Sequence, residues 1–127
     1  MKTILIVEDS ETCAETLQIA LETIPGMKTM VLQDMGAALA ALRDEDSNIV
    51  ALVTDLHMPR HNVLEAGFEL IRQLRTEARY GNLPVLLISG DSDPKLPQSA
   101  LALGADAFFS KPYSPAAVRR KLEQLLC

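Results

Sequence analysis

Glu8, Asp9, Asp55, Ser89 and Lys111 lie far apart in the chain, yet each comes at the end of a short apolar run or just beyond it. Glu8 and Asp9 close Thr3-Ile4-Leu5-Ile6-Val7, and Asp55 closes the stretch from Ile49 to Thr54. Ser89 closes Val85-Leu86-Leu87-Ile88, and Lys111 follows Ala107-Phe108-Phe109 after one serine. Runs of this kind read as strands buried on both faces. Parallel strands bring their carboxyl ends onto one rim, where the chemistry of open α/β sheets collects. Three carboxylates on one rim repel each other and raise each other's pKa unless a cation joins them. Oxygen-only ligation suits Mg²⁺, which keeps several waters and leaves room for a phosphate oxygen. A serine hydroxyl and a lysine ammonium both suit the equatorial oxygens of a phosphoryl group. Surrounded by metal, ammonium and hydroxyl, Asp55 would be a nucleophile toward phosphorus.

The elements that must position these residues alternate along the chain. Ser10 is placed to cap a first helix, whose apolar positions Cys13, Leu17, Ala20 and Ile24 repeat at helical spacing until Pro25-Gly26. Thr29 to Leu32 reads as a weaker strand at a sheet edge. Asp34 caps a second helix carrying Met35, Ala38, Leu39 and Leu42, and Ser47-Asn48 turns into the Asp55 strand. Beyond Pro59, the polar Arg60-His61-Asn62 leads to a third helix with a stripe of Leu64, Phe68, Ile71, Leu74 and Ala78, closed by Tyr80-Gly81-Asn82. A fourth helix, with Leu96, Ala100 and Leu103, stops at Gly104. Ser114-Pro115 starts the last helix, which buries Val118, Leu122 and Leu125. Five strands alternating with five helices predict an α/β fold with right-handed crossovers and a parallel sheet covered on both faces. Without an internal repeat, low-complexity tract or linker, residues 1–127 read as one domain.

Bulk properties bound the function. A chain of 127 residues that is 48% hydrophobic can bury one core and is not disordered. Its net charge of −5 argues against non-specific attraction to nucleic acid or anionic lipid. No apolar stretch reaches the roughly 20 residues that span a bilayer, and Met1-Lys2-Thr3 runs straight into strand-like sequence without a signal-peptide pattern. Cys13 and Cys127, at opposite ends, do not make a disulfide framework; Cys13 is expected as a buried thiol, and the protein as reduced and cytoplasmic.

Taken together, Glu8-Asp9, Asp55-Leu56-His57-Met58-Pro59, Ser89-Gly90 and Lys111-Pro112 resemble the receiver domain of two-component response regulators over the whole chain, in the single-domain chemotaxis-type arrangement. The resemblance implies a flavodoxin-like, doubly wound sheet with strand order 2-1-3-4-5. It implies Asp55 as phosphoacceptor, and Mg²⁺ held by Asp9, Asp55 and the backbone carbonyl of His57, with Glu8 assisting through water. Ser89 and Lys111 would bind the phosphoryl group, Lys111-Pro112 would be a cis peptide, and Ser89 with Phe108 would form the switch. The donor would be a sensor histidine kinase or a histidine phosphotransfer protein. The output would be a protein contact through the fourth helix, fifth strand and fifth helix, as a monomer or weak homodimer, with no direct role for nucleic acid or membrane. With Leu125-Leu126-Cys127 closing the last helix, no output module is expected, and the resemblance implies a phosphoacceptor rather than a turnover enzyme.

One departure stands out. The family's glycine usually follows Met-Pro within a few residues, whereas Gly67 is eight beyond Pro59, so several residues are inserted across 60–65, next to the acceptor. That insertion is the one feature favouring an alternative, a receiver-shaped binding module that switches without phosphate. An aspartate-nucleophile phosphohydrolase usually carries a second acid two residues after the nucleophile, where this chain has His57. A flavin-binding domain shares the fold, but Glu8-Asp9 would repel its phosphate. His57 and His61 have a spacing used by helical zinc sites, and Pro59 between them argues against a helix.

Overall fold

A computed structural model describes residues 1–57 and 65–126. It contains strands β1 (Lys2–Val7), β2 (Met27–Leu32), β3 (Ile49–Asp55), β4 (Val85–Ser89) and β5 (Ala107–Ser110). Helices α1 (Glu11–Leu21), α2 (Met35–Arg43), α3 (Ala66–Arg75), α4 (Leu96–Leu103) and α5 (Pro115–Leu126) alternate with them. The sheet runs β2-β1-β3-β4-β5 and every neighbouring pair is parallel, as the resemblance implies. β2 does lie at an edge, where its side chains are only partly covered.

Period-two alternation divides each central strand between two cores. Leu5 and Val7 join Leu39, Leu52, Leu56, Phe68, Ile71 and Leu87 on the face covered by α2, α3 and α4. Ile4 and Ile6 join Leu17, Leu21, Val53, Ile88, Val118 and Leu122 on the face covered by α1 and α5. With both faces dry, β3 and β4 carry no alternating polar positions, and a carboxylate at the end of β3 is conspicuous for that reason.

Local chemistry sets the helix ends. Ser10 Oγ accepts from the Cys13 N–H at 3.4 Å, Asp34 Oδ1 from Ala37 at 2.8 Å and Ser114 Oγ from Ala117 at 3.3 Å, the expected N-caps. α4 stops at Gly104, whose φ of 109° needs a residue without Cβ. The Arg75 guanidinium then ties that end down, donating to Gly104 O at 2.6 Å, Tyr80 O at 3.1 Å and Gly81 O at 3.2 Å.

Two helices differ from the sequence reading. Cys13 is half-buried, because α1 turns Ala14, Leu17 and Leu21 inward and leaves Cys13 on the flank beside Pro112 and Tyr113. The third helix ends at Arg75, and a separate 3₁₀ turn covers Ala78–Tyr80. The helical spacing ran on through Ala78, but the chain breaks so that Tyr80 can enter the core and donate its hydroxyl to Leu42 O. Leu64, part of the expected stripe, lies outside the described residues, as do His61, Cys127 and residues 60–64 of the insertion.

α3 starts hard against the end of β3. Gly67 N–H donates to Leu56 O at 2.9 Å, and a Cβ on Gly67 would stand 2.7 Å from both Asp55 O and Leu87 Cδ1. The inserted residues thus precede a glycine that packs on the backbone of Asp55. Gly67→Ala is expected to destabilise the fold by about 1–3 kcal/mol in denaturant unfolding. Gly81→Ala, whose new Cβ would come no closer than 3.7 Å to another residue's atom, is the mild control; equal midpoints for the two variants would contradict this packing.

Candidate functional site: an acidic rim sharing one lysine

The sheet register brings the carboxyl ends of the strands level. Val7 of β1 pairs with Thr54 of β3, Asp55 with Ile88 of β4, and Ser89 with Ser110 of β5. Glu8 and Asp9 therefore emerge beside Asp55, and all three are buried. One carboxylate oxygen from each lies within 4.8 Å of those of the other two. Lys111 is steered to the same point. Its own N–H donates to Ser89 O at 2.8 Å, and the Lys111–Pro112 peptide is cis, as expected. Its Nζ lies 3.0 Å from Glu8 Oε1 and 3.1 Å from Asp55 Oδ2.

This crowding has electrostatic consequences. Burial pushes the Asp55 carboxyl up from 3.8 to about 7, and its hydrogen bond to Glu8 and the charge of Glu8 push the same way against the opposing pull of Lys111. Burial alone would lower the Lys111 ammonium, but the Asp55 and Glu8 carboxylates outweigh it and hold the pKa well above the usual lysine value. Tyr113 is pushed up to about 12, mostly by burial, with Cys13 and Glu8 adding to it.

Asp55 is still reachable. Asp9, Asp55, His57, Gly90, Asp91 and Lys111 line a cavity of about 400 Å³ at the rim. Three hard oxygen donors, buried and converging, fit a divalent cation of the Mg²⁺ type better than a soft metal. Ser89 is fully buried at the end of β4, where its hydroxyl accepts from the Asp91 N–H at 2.9 Å. Phe108 is partly buried and packs on the core beneath α3 and α4, while Phe109 packs on the opposite face.

The structure thus brings Glu8, Asp9, Asp55 and Lys111 together, sets Ser89 one strand away and places Phe108 beneath the neighbouring helices. Sequence reasoning assigned His57 a backbone carbonyl for the metal and weighed its ring only in a zinc pair with His61, without seeing the partners the ring has here. That ring's Nε2 lies 3.0 Å from Asp91 Oδ2, and its Nδ1 accepts from the Glu65 N–H at 2.9 Å. The direct Glu8–Lys111 ion pair was also missed, since acids at strand ends give no sign of which one faces a cation.

Residues 4–123 match the response regulator receiver domain family, and the chain belongs to it. Among curated relatives, a chemotaxis protein CheY homolog of Campylobacter jejuni is 26% identical over 123 residues, covering 97% of this chain and 91% of its own. A solved receiver domain of a signal transduction histidine kinase from Syntrophus aciditrophicus is 31% identical, with a TM-score of 0.82, covering 99% of this chain and 90% of the other. The chemotaxis response regulator CheY4 of Vibrio cholerae, at 24% identity and a TM-score of 0.80 over 98% of both chains, shows the shared fold.

A raised acid pKa has a defined sign in stability. Between pH about 4 and about 7 the folded protein keeps a proton on Asp55 that the unfolded chain has released, so in chelator the stability falls as pH rises through that window. Asp55→Asn is expected to be more stable than the wild type at pH 8 in EDTA, by about 1–4 kcal/mol. Urea unfolding at pH 5 and pH 8 reads this directly. A wild type that gains stability over the window, or an Asn variant less stable at pH 8, would contradict it.

Proposed function

We propose that this receiver domain takes a phosphoryl group onto Asp55 from a phosphohistidine of a sensor histidine kinase or a histidine phosphotransfer protein. The observation that carries the reading is the single ammonium of Lys111, within 3.1 Å of Asp55 Oδ2 and 3.0 Å of Glu8 Oε1 on a rim of three buried acids. The P–N bond to the donor imidazole breaks as a P–O bond to Asp55 forms, and the imidazole leaves with its electron pair. Mg²⁺, held by Asp9, Asp55 and the His57 carbonyl with help from Glu8, would supply charge neutralisation for the transferring group. Lys111 orients Asp55 and offers its positive charge to the incoming oxygens, and Ser89 adds a hydroxyl donor.

The chain's role is to be modified rather than to turn over substrate. The new dianion draws in Ser89, and Phe108 repacks under α4. That shifts an existing equilibrium of the α4–β5–α5 surface, where a downstream protein is recognised. Phe108 has no hydroxyl, so its part is packing alone. The C. jejuni relative's name places that protein in chemotaxis, which supports an output by protein contact. Among the described residues no helix is long and apolar enough to cross a membrane, and a cytoplasmic location agrees with a kinase donor.

With acetyl phosphate and Mg²⁺, the wild type should gain one phosphoryl group by intact mass and Asp55→Asn none. Phosphate on the Asp55→Asn protein would overturn the assignment. Lys111→Ala should slow the gain by about 10²-fold or more, as for the loss of one charge-stabilising group. A rate within twofold of wild type would remove Lys111 from the chemistry.

A further inference from the structure

Hydrogen bonds run without a break from Ser89 to the start of two helices. Asp91 N–H donates to Ser89 Oγ at 2.9 Å. The Asp91 carboxylate then divides its oxygens: Oδ1 accepts from the Asp93 N–H at 2.9 Å, and Oδ2 lies 3.0 Å from His57 Nε2. One branch continues through Asp93 Oδ1, which accepts from Lys95 N–H at 3.0 Å, and reaches the start of α4. The other passes through the imidazole to the Glu65 N–H at 2.9 Å and reaches the start of α3.

The His57 ring is polarised in one direction. A backbone N–H can only donate, so Nδ1 carries the lone pair and the ring proton sits on Nε2, aimed at Asp91. Glu65 is itself held in an uncommon conformation, with φ 56° and ψ 31°, where a side chain is disfavoured. Its carbonyl accepts from Phe68 at 3.0 Å and Glu69 at 3.2 Å, so Glu65 opens α3 without any side-chain cap. A non-glycine residue in this region persists because neighbouring contacts hold it there. The His57 bond is one of them.

We propose that His57 and Asp91 form a relay that transmits the position of Ser89 to Glu65, making the start of α3 a second region that registers the state of the Asp55 site. The relay rests on the reading above in which Ser89 moves toward a phosphoryl group on Asp55. Gly90 separates Ser89 from Asp91, leaving the backbone free to follow. A displacement of Asp91 by about 1 Å takes a 3.0 Å hydrogen bond beyond useful range. The His57 ring is then no longer held from its Nε2 side, so the Nδ1 acceptor of the Glu65 N–H loses its fixed orientation and the strained conformation loses a support. The α3 start lies directly after the inserted residues, so the signal reaches a part of this chain that departs from the family's usual length.

Amide NMR spectra of the wild type and Asp91→Ala test the relay, first in EDTA and then with Mg²⁺ and the phosphoryl mimic beryllofluoride. The Asp91 side chain is 40% exposed, so the variant should fold. In EDTA, Asp91→Ala should shift the Glu65 amide and the imidazole nitrogens of His57. Unchanged Glu65 and His57 signals overturn the relay whether or not the site binds phosphate. With beryllofluoride, the wild type should shift at both Glu65 and Phe108, and the variant at Phe108 alone. A Glu65 response of equal size in both proteins also overturns the relay. Silence at Phe108 and Ser89 in the wild type instead overturns the phosphoacceptor reading, and with it the signal the relay would carry.

Discussion

One ammonium stands between two buried carboxylates with a third close by, and the rest of the molecule exists to keep it there. Lys111 touches both Glu8 and Asp55, and an oxygen of Asp9 lies within 4.8 Å of theirs. Three acids set against one lysine cannot all ionise cheaply out of water. Without more positive charge the strain falls on Asp55, whose carboxyl is pushed up to about 7, largely by its own burial. A divalent cation at this rim would add the positive charge that the three acids lack.

The fold meets this constraint through register. β1, β3, β4 and β5 are parallel and in step, so residues separated by as many as 103 positions, Glu8 and Lys111, meet with no loop reaching far. The backbone bond from Lys111 to Ser89 O and the close approach of Gly67 to Asp55 O fix two sides of the site at main-chain precision. Arg75 closes the far end of α4 on three carbonyls, whereas the near end, at Lys95, has no side-chain cap. The less tethered end of α4 is thus the one that follows the Ser89 end of β4.

Much of this was legible in the sequence because it follows from patterns with a physical period. Uninterrupted apolar runs gave the inner strands, Ser10, Asp34, Gly104 and Ser114 marked helix ends, and the acids stood out for interrupting buried strands. What stayed hidden depends on rotation and on contacts between loops. A helix with several small residues does not reveal which face is inward, and Cys13 was placed one position off the stripe led by Ala14. Periodicity could not show that the chain breaks after Arg75 to bury Tyr80. Nor could it show that His57 and Asp91, each two residues beyond a strand-end site residue, would meet across the cavity.

The central claim is that burial, with Glu8 beside it, holds the proton on Asp55 and that added positive charge releases it. Carbon-detected NMR titration of the Asp55 carboxyl, in EDTA and again in saturating Mg²⁺, measures it directly. The account predicts a midpoint near pH 7 in EDTA that falls into the ordinary carboxylate range with Mg²⁺. A midpoint near pH 4 in EDTA that Mg²⁺ leaves unmoved would contradict it.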